Sequence, residues 1–160
     1  MNILQIVPSF EVGGAETMCV GLCLELRKLG HSVTAVSLSA AQSKLTRDLT
    51  EAGVELRLLG KGPGMDLSCV SRLRAVIREV RPQVIHTHLH ALKYAALALG
   101  GGKIPILHTV HNQADAEAVK LDQLIARYLF HSGKATPVAL SGEIQASIVA
   151  LYGLPESRVP

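Results

Sequence analysis

The 160-residue chain is poor in aromatic side chains, with three Tyr, two Phe and no Trp. Aliphatic residues must therefore fill most of any core it builds. Cysteine is scarce as well. Three cysteines cannot all pair with one another, which argues against a disulfide framework. Cys19 and Cys23 stand four apart beside apolar neighbours on a helical pattern, the setting of buried free thiols, and a reducing compartment suits them. No run of roughly 18 uncharged apolar residues occurs, so no segment is expected to span a membrane. The first seven residues have no basic flank and do not read as a signal peptide. Charge of one sign is lacking too: 16 basic residues against 13 acidic leave a net +3, too mild to point to nucleic acid as a partner.

What is present is 48% hydrophobic and 18% charged, the balance of a compact globule rather than a disordered segment. The length suits one domain, residues 1–160, burying about two thirds of its unfolded surface. Apolar runs alternate with helical patterns throughout. Strands are expected over residues 3–7, 32–38, 54–59, 83–87, 104–110 and 135–140. Helices are expected over 15–29, 44–52, 67–81, 89–99, 114–131 and 142–152, several closed by Gly or Pro. Such alternation requires crossover connections, hence an α/β fold: a doubly wound, Rossmann-like parallel sheet between two helical layers. The near-continuous apolar character of strands such as 83–87 fits a sheet covered on both faces.

In such a sheet ligands bind at the carboxyl ends of the strands, where the strand order reverses. The loop after the first strand, Pro8-Ser9-Phe10-Glu11-Val12-Gly13-Gly14-Ala15-Glu16, places paired glycines before a helix. Glycine permits positive φ and close backbone approach, and a helix N-terminus offers unpaired N–H groups to a phosphate. A tight turn without a ligand is the plainer reading. No G-x-G-x-x-G is present, the second strand ends in Val36-Ser37-Leu38-Ser39 without an acidic residue for a ribose, and no Walker lysine follows the glycines. The loop suits phosphates but not a dinucleotide-dependent dehydrogenase.

An ordered set of motifs runs along the whole chain. Ile3-Leu4-Gln5-Ile6 precedes Gly13-Gly14-Ala15-Glu16, followed by Leu29-Gly30-His31-Ser32-Val33 and Pro82-Gln83-Val84-Ile85-His86-Thr87-His88. His108-Thr109-Val110-His111-Asn112 and Val138-Ala139-Leu140-Ser141-Gly142-Glu143 complete it. This set resembles the N-terminal domain of retaining glycosyltransferases of the GT4 type, which have the GT-B fold. The resemblance implies one half of a GT-B enzyme, with the acceptor held in this domain and the glycine loop facing the donor phosphates. It implies a second Rossmann-like domain that binds a nucleotide-diphosphate sugar, no cofactor and no metal, and a cytoplasmic location. Without that second domain the chain is expected to be inactive.

The same resemblance makes His111 the catalytic candidate, near the acceptor and the reacting sugar. Gly13 and Gly14 become the donor phosphate and sugar loop, and Glu16, His88, Asn112, Ser141 and Glu143 acceptor-side or cleft residues. Simpler readings stand beside these. Glu16 stabilises a helix dipole, Ser141 is an N-cap with Glu143 behind it, and His111 is a structural residue at a strand end. His86, His88 and His90 alternate, as metal ligands on one strand face would, but no acidic or cysteine ligand accompanies them. His86 reads as a core histidine and His88 as lining the cleft. His108 is expected on the His111 face of its strand, deeper in the sheet, and His31 and His131 in surface loops. Arg72, Arg74, Arg78 and Arg81, with Lys44 and Arg47 on the preceding helix, read as solvated surface or as a dock for anionic lipid headgroups, since related enzymes often use lipid-linked acceptors. A nucleotide-sugar epimerase half and a noncatalytic ligand-binding module are the alternatives. A two-carboxylate glycosidase is not supported.

Overall fold

A computed structural model of the chain describes residues 1–11, 13–114 and 120–160. Its strands are β1 (Asn2–Val7), β2 (Ser32–Ser37), β3 (Glu55–Leu58), β4 (Val84–His88), β5 (Ile106–Val110) and β6 (Ala135–Ala139). The helices are α1 (Gly14–Lys28), α2 (Lys44–Glu51), α3 (Leu67–Val80), α4 (Leu92–Leu99), α5 (Lys120–His131) and α6 (Gly142–Tyr152). The six strands form one parallel sheet in the order β3-β2-β1-β4-β5-β6. The order reverses between β1 and β4, so their carboxyl ends open the crevice expected of an α/β sheet.

Alternation along the strands divides the core in two. Ile3 and Val7 face α1 and α2 and bury Phe10, Cys19, Cys23 and Leu49 with them. Leu4, Ile6, Ile85, Ile106 and Val110 face the other way and pack with α3, α4, α5 and α6. Few aromatics are involved, and Phe10, Tyr94 and Phe130 are each fully buried. Cys19, Cys23 and Cys69 are free and buried.

Several boundaries differ from the sequence pattern, each for a local reason. Arg81 leaves α3 with a φ of 49°, because a residue before proline is pushed out of the α region. Leu89–Ala91 is a 3-10 turn rather than the first turn of α4, and Leu89 carries a φ of 51°. Pro105 lends its carbonyl to Ile85 at 3.0 Å but has no N–H, so β5 begins only at Ile106. The helix expected over 114–131 is seen as α5 alone, because residues 115–119 lie outside the described residues. Among the described residues no helix is long and apolar enough to cross a membrane.

Candidate functional site

Every described helix N-terminus faces the same accounting problem, since its first N–H groups have no partner within the helix. Ser43 accepts from the N–H groups of Leu45 and Thr46 and so caps α2. Asp66 accepts from the Cys69 N–H to cap α3, and Ser141 from Ile144 to cap α6. At α1 the cap position is Gly13, and no side chain caps the helix. The uncapped end lies at the carboxyl end of β1, beside the reversal of strand order.

Neither glycine there is demanded by the fold. Gly13 is extended, with a φ of −157°, and Gly14 is the first residue of α1; neither has the positive φ that would require glycine. A Cβ on Gly14 would meet nothing within 4 Å. A Cβ on Gly13 would meet only the carboxylate of Glu16, the far end of a flexible side chain folded back over it. At Gly14 the backbone is thus open to approach, while at Gly13 the Glu16 side chain lies over it.

Across the reversal, on the α1 face, a row of polar side chains runs out from the core. Gln5 on β1 lies in register with His86 on β4. The Gln5 carbonyl oxygen lies 3.0 Å from His88 Nε2, and His88 Nδ1 lies 3.0 Å from His111 Nε2. His86 Nε2 is 2.8 Å from the Thr109 hydroxyl, and its ring sits 4.3 Å from that of His88. Burial, reinforced by the neighbouring histidines, pushes His88 down to about 2 and His86 to about 4. Both are neutral at ordinary pH.

Neutrality fixes the proton positions along the row. A carbonyl oxygen only accepts, so His88 donates its Nε2–H to Gln5 and presents a bare Nδ1. His111 must then donate its Nε2–H to that atom, which leaves the lone pair of the His111 ring on Nδ1. His111 is half-buried, and its pKa is lowered by burial. The Gln5 amide nitrogen is buried without a hydrogen-bond partner.

The sequence candidates are thus partly brought together. Gly13, Gly14 and Glu16 form the α1 entrance, and His111 and the exposed Asn112 lie at the end of β5. His88 does not line the cleft: it is fully buried, one layer behind His111, because the chain turns immediately after β4. Ser141 and Glu143 stand exposed at the start of α6, Ser141 as the cap and Glu143 in the first turn. His108 departs from expectation. Three positions before His111, it points to the opposite face, where its Nδ1 lies 2.9 Å from the Thr87 hydroxyl and its ring 6.1 Å from that of Phe130. His90 turns away in the 3-10 segment, 3.6 Å from Asp122, so the alternating histidines do not converge. His131 ends α5 and bonds the Tyr152 carbonyl at 2.8 Å.

The basic residues do not form one patch. Leu45 and Leu49 of α2 pack on one face of the sheet, whereas α3 packs on the other. Arg74 donates to the carbonyls of Ala98 and Leu97 at the end of α4, at 3.0 Å each, and Arg72 reaches Asp66 and Gly60. Gln5 is the site residue that the sequence reading missed. A lone polar residue in an otherwise apolar strand, Ile3-Leu4-Gln5-Ile6-Val7, was its one signal.

A doubly wound parallel sheet with an uncapped helix start at its switch point makes this a Rossmann-like domain. The family model described as Glycosyltransferase Family 4 matches residues 12–160; the chain belongs to that family. Among curated proteins none matches the sequence. Among solved structures, a glycosyltransferase from Rickettsia africae ESF-5 aligns with a TM-score of 0.79 at 15% identity, over 99% of this chain and 41% of that one. Anabaena Alr3699/HepE, solved in complex with UDP, aligns with a TM-score of 0.79 at 18% identity, over 100% and 43%. A UDP-N-acetylglucosamine 2-epimerase from Rickettsia bellii gives 0.61 at 16%, over 98% and 43%. The chain thus spans about two fifths of the length of these solved structures.

Proposed function

We propose that this domain is the acceptor-side half of a retaining glycosyltransferase that moves a sugar from a nucleotide-diphosphate sugar to a glycan or lipid-linked acceptor, without a metal. The observation that carries the reading is the Gly13–Gly14 pair: an uncapped helix end at the switch point, with glycine required by neither backbone nor packing. In this reading the diphosphate of the donor lies against the first turn of α1. Its charge grows as the bond from the anomeric carbon to the phosphate oxygen breaks. N–H groups already aimed there, and the positive end of the α1 dipole, stabilise that charge without reorganising. His111, held from behind by His88 and Gln5, acts as a hydrogen-bond acceptor toward a sugar hydroxyl. The nucleotide and most of the positive charge belong to a second domain, and the chain alone does not turn over. On the α3 side, peripheral contact with an anionic membrane falls to the exposed Arg78 and Arg81, since Arg72 and Arg74 are engaged within the domain.

The test is transfer from a panel of nucleotide sugars by the full-length protein, with the 160-residue chain as control and Gly14→Ala beside it. Alanine at Gly14 meets nothing and improves helix propensity by up to about 1 kcal/mol, so the variant should be at least as stable as the parent. Its transfer rate should nevertheless fall by about tenfold or more, as the methyl intrudes on the phosphates. Transfer unchanged in that variant, or turnover by the chain alone, refutes the reading. Epimerisation of a nucleotide sugar without acceptor would move the assignment to the epimerase whose sheet this one also resembles.

A further inference from the structure

The carboxyl edge carries a second opening, on the face covered by α3 and α4. A cavity of about 490 Å³ lies there, walled by Pro8, Leu38, Met65 and Tyr94 and lined by Lys61, His90 and Lys93. Its volume falls within the usual range for small-molecule sites. Three of its side chains can be cationic and none is acidic. Lys93 is neutralised: both carboxylate oxygens of Asp122 lie 2.9 Å from its Nζ, and the same carboxylate is 3.6 Å from His90.

Lys61 is different. It is half-buried, donates to the Gly62 carbonyl at 2.8 Å, and sits 5.8 Å from the Tyr94 ring centroid. Among the described residues it forms no ion pair. Asp66, the acidic residue of its own loop, is committed to the N–H groups of Gly62 and Cys69, the Ser68 hydroxyl and Arg72. Tyr94 is also fixed, accepting from the Asp66 N–H at 3.2 Å and donating to the Gly64 carbonyl at 3.2 Å. An uncompensated ammonium with donors to spare is therefore held over a rigid ring, in a partly dehydrated cavity. Such a group binds oxyanions by charge-assisted hydrogen bonds, while the apolar wall takes the face of a sugar ring.

We propose that this cavity is the acceptor subsite and takes an acceptor that carries an oxyanion, a phosphate or a carboxylate, on Lys61. Its place as an acceptor site rests on the transferase reading above; the binding of the anion does not. Calorimetric titration of the chain with glucose 6-phosphate, glucuronate and glucose tests the binding. The two anions should bind and glucose should not, with the stronger of the two naming the oxyanion. Lys61→Gln should weaken anion binding by about tenfold or more, and Lys61→Arg should restore most of it. Glucose binding as tightly as the anions, or Lys61→Gln binding as the parent does, overturns the proposal. In the full-length protein, transfer to glucose 6-phosphate or glucuronate should be favoured over glucose and lose that preference in Lys61→Gln. Equal transfer to all three, unaffected by the substitution, overturns the proposal and leaves the transferase standing. No transfer to any of them, with Lys61-dependent anion binding intact, upholds the anion site but overturns its assignment as the acceptor subsite, while the nucleotide-sugar panel above decides the transferase reading separately.

Discussion

Acidification should destabilise this domain at a pH where most carboxylates are still ionised, and the cause is its buried histidines. His86, His88 and His108 are pushed down to about 4, about 2 and about 3, in each case chiefly by burial and then by neighbouring histidines. In the unfolded chain they titrate near their ordinary value of about 6.5. Below that value the unfolded state takes up protons that the folded state refuses, so stability falls as pH falls. For one such histidine the loss is RT ln(1 + 10^(6.5−pH)), or about 1.4 kcal/mol at about pH 5.5. The three together lose about 4 kcal/mol there and about 6 kcal/mol at about pH 5. A domain of this size has on the order of 5–15 kcal/mol in all. Asp66 does not interfere, because the Ser68 hydroxyl and nearby N–H groups hold its carboxyl well below the usual range, and its contribution is lost only at lower pH.

The measurement is urea unfolding of the 160-residue chain, followed by far-ultraviolet circular dichroism from about pH 7.5 to about pH 5. The midpoint should fall steadily below about pH 6.5, with the slope per molar urea unchanged. His86→Gln keeps a hydrogen-bonding group near Thr109 but cannot titrate; it should remove about one third of the loss. A stability that changes by less than about 1 kcal/mol between about pH 7.5 and 5.5 would show that these rings are protonated or solvated in the folded state. The proton positions assigned from Gln5 to His111 would then fail with it.

Two further substitutions probe the same region. Gln5→Leu removes the acceptor of the His88 proton and also a buried amide nitrogen that has no partner; these offset, so stability should change by less than about 1 kcal/mol. The ¹⁵N signals of the His111 ring should nevertheless change from a single Nε2–H form to a mixture, and an unchanged tautomer would refute the relay. Ser43→Ala deletes the α2 cap and the bond from the Ser43 hydroxyl to the Phe10 carbonyl, in the loop leading to Gly13. Urea melts should show a loss of about 1–2 kcal/mol, and a loss of only a few tenths would mean the cap is replaced by water.

The layers of the fold were legible because each strand carries its burial in its composition. Residues 83–87 read as buried on both faces, and β4 is indeed covered by helices on each side. Gly13 and Gly14 were legible as the start of a helix for a related reason: two glycines before a helix are a local pattern, visible without knowing the neighbours. His88 was misplaced because its role depends on contacts distant in sequence. His88 meets Gln5 across 83 positions and His111 across 23, and no spacing along one strand encodes that. His108 needed only the two-residue period, which puts it on the face opposite His111. Lys61 escaped notice because its significance is the absence of a carboxylate beside it, a property of the surroundings rather than of the residue.

The placement of these groups also argues for function. A parallel sheet of this kind is best served by apolar side chains at β1 and β4, its two central strands. Here those strands carry Gln5, His86 and His88 on one face, and two buried polar atoms near them, Gln5 Nε2 and Ser37 Oγ, lack hydrogen-bond partners. Each such atom costs about 1–3 kcal/mol, and the neutral histidines add the acid sensitivity worked out above. Leu4 and Ile6, one residue to either side of Gln5, show that the same strand accommodates apolar residues fully. The polar row is thus confined to the α1 face and ends at His111, at the edge where the glycine loop opens. His86 and His88 share that cost with His108 on the other face, but only their row leads to a surface position, and there it sets which atoms of the His111 ring donate and which accept.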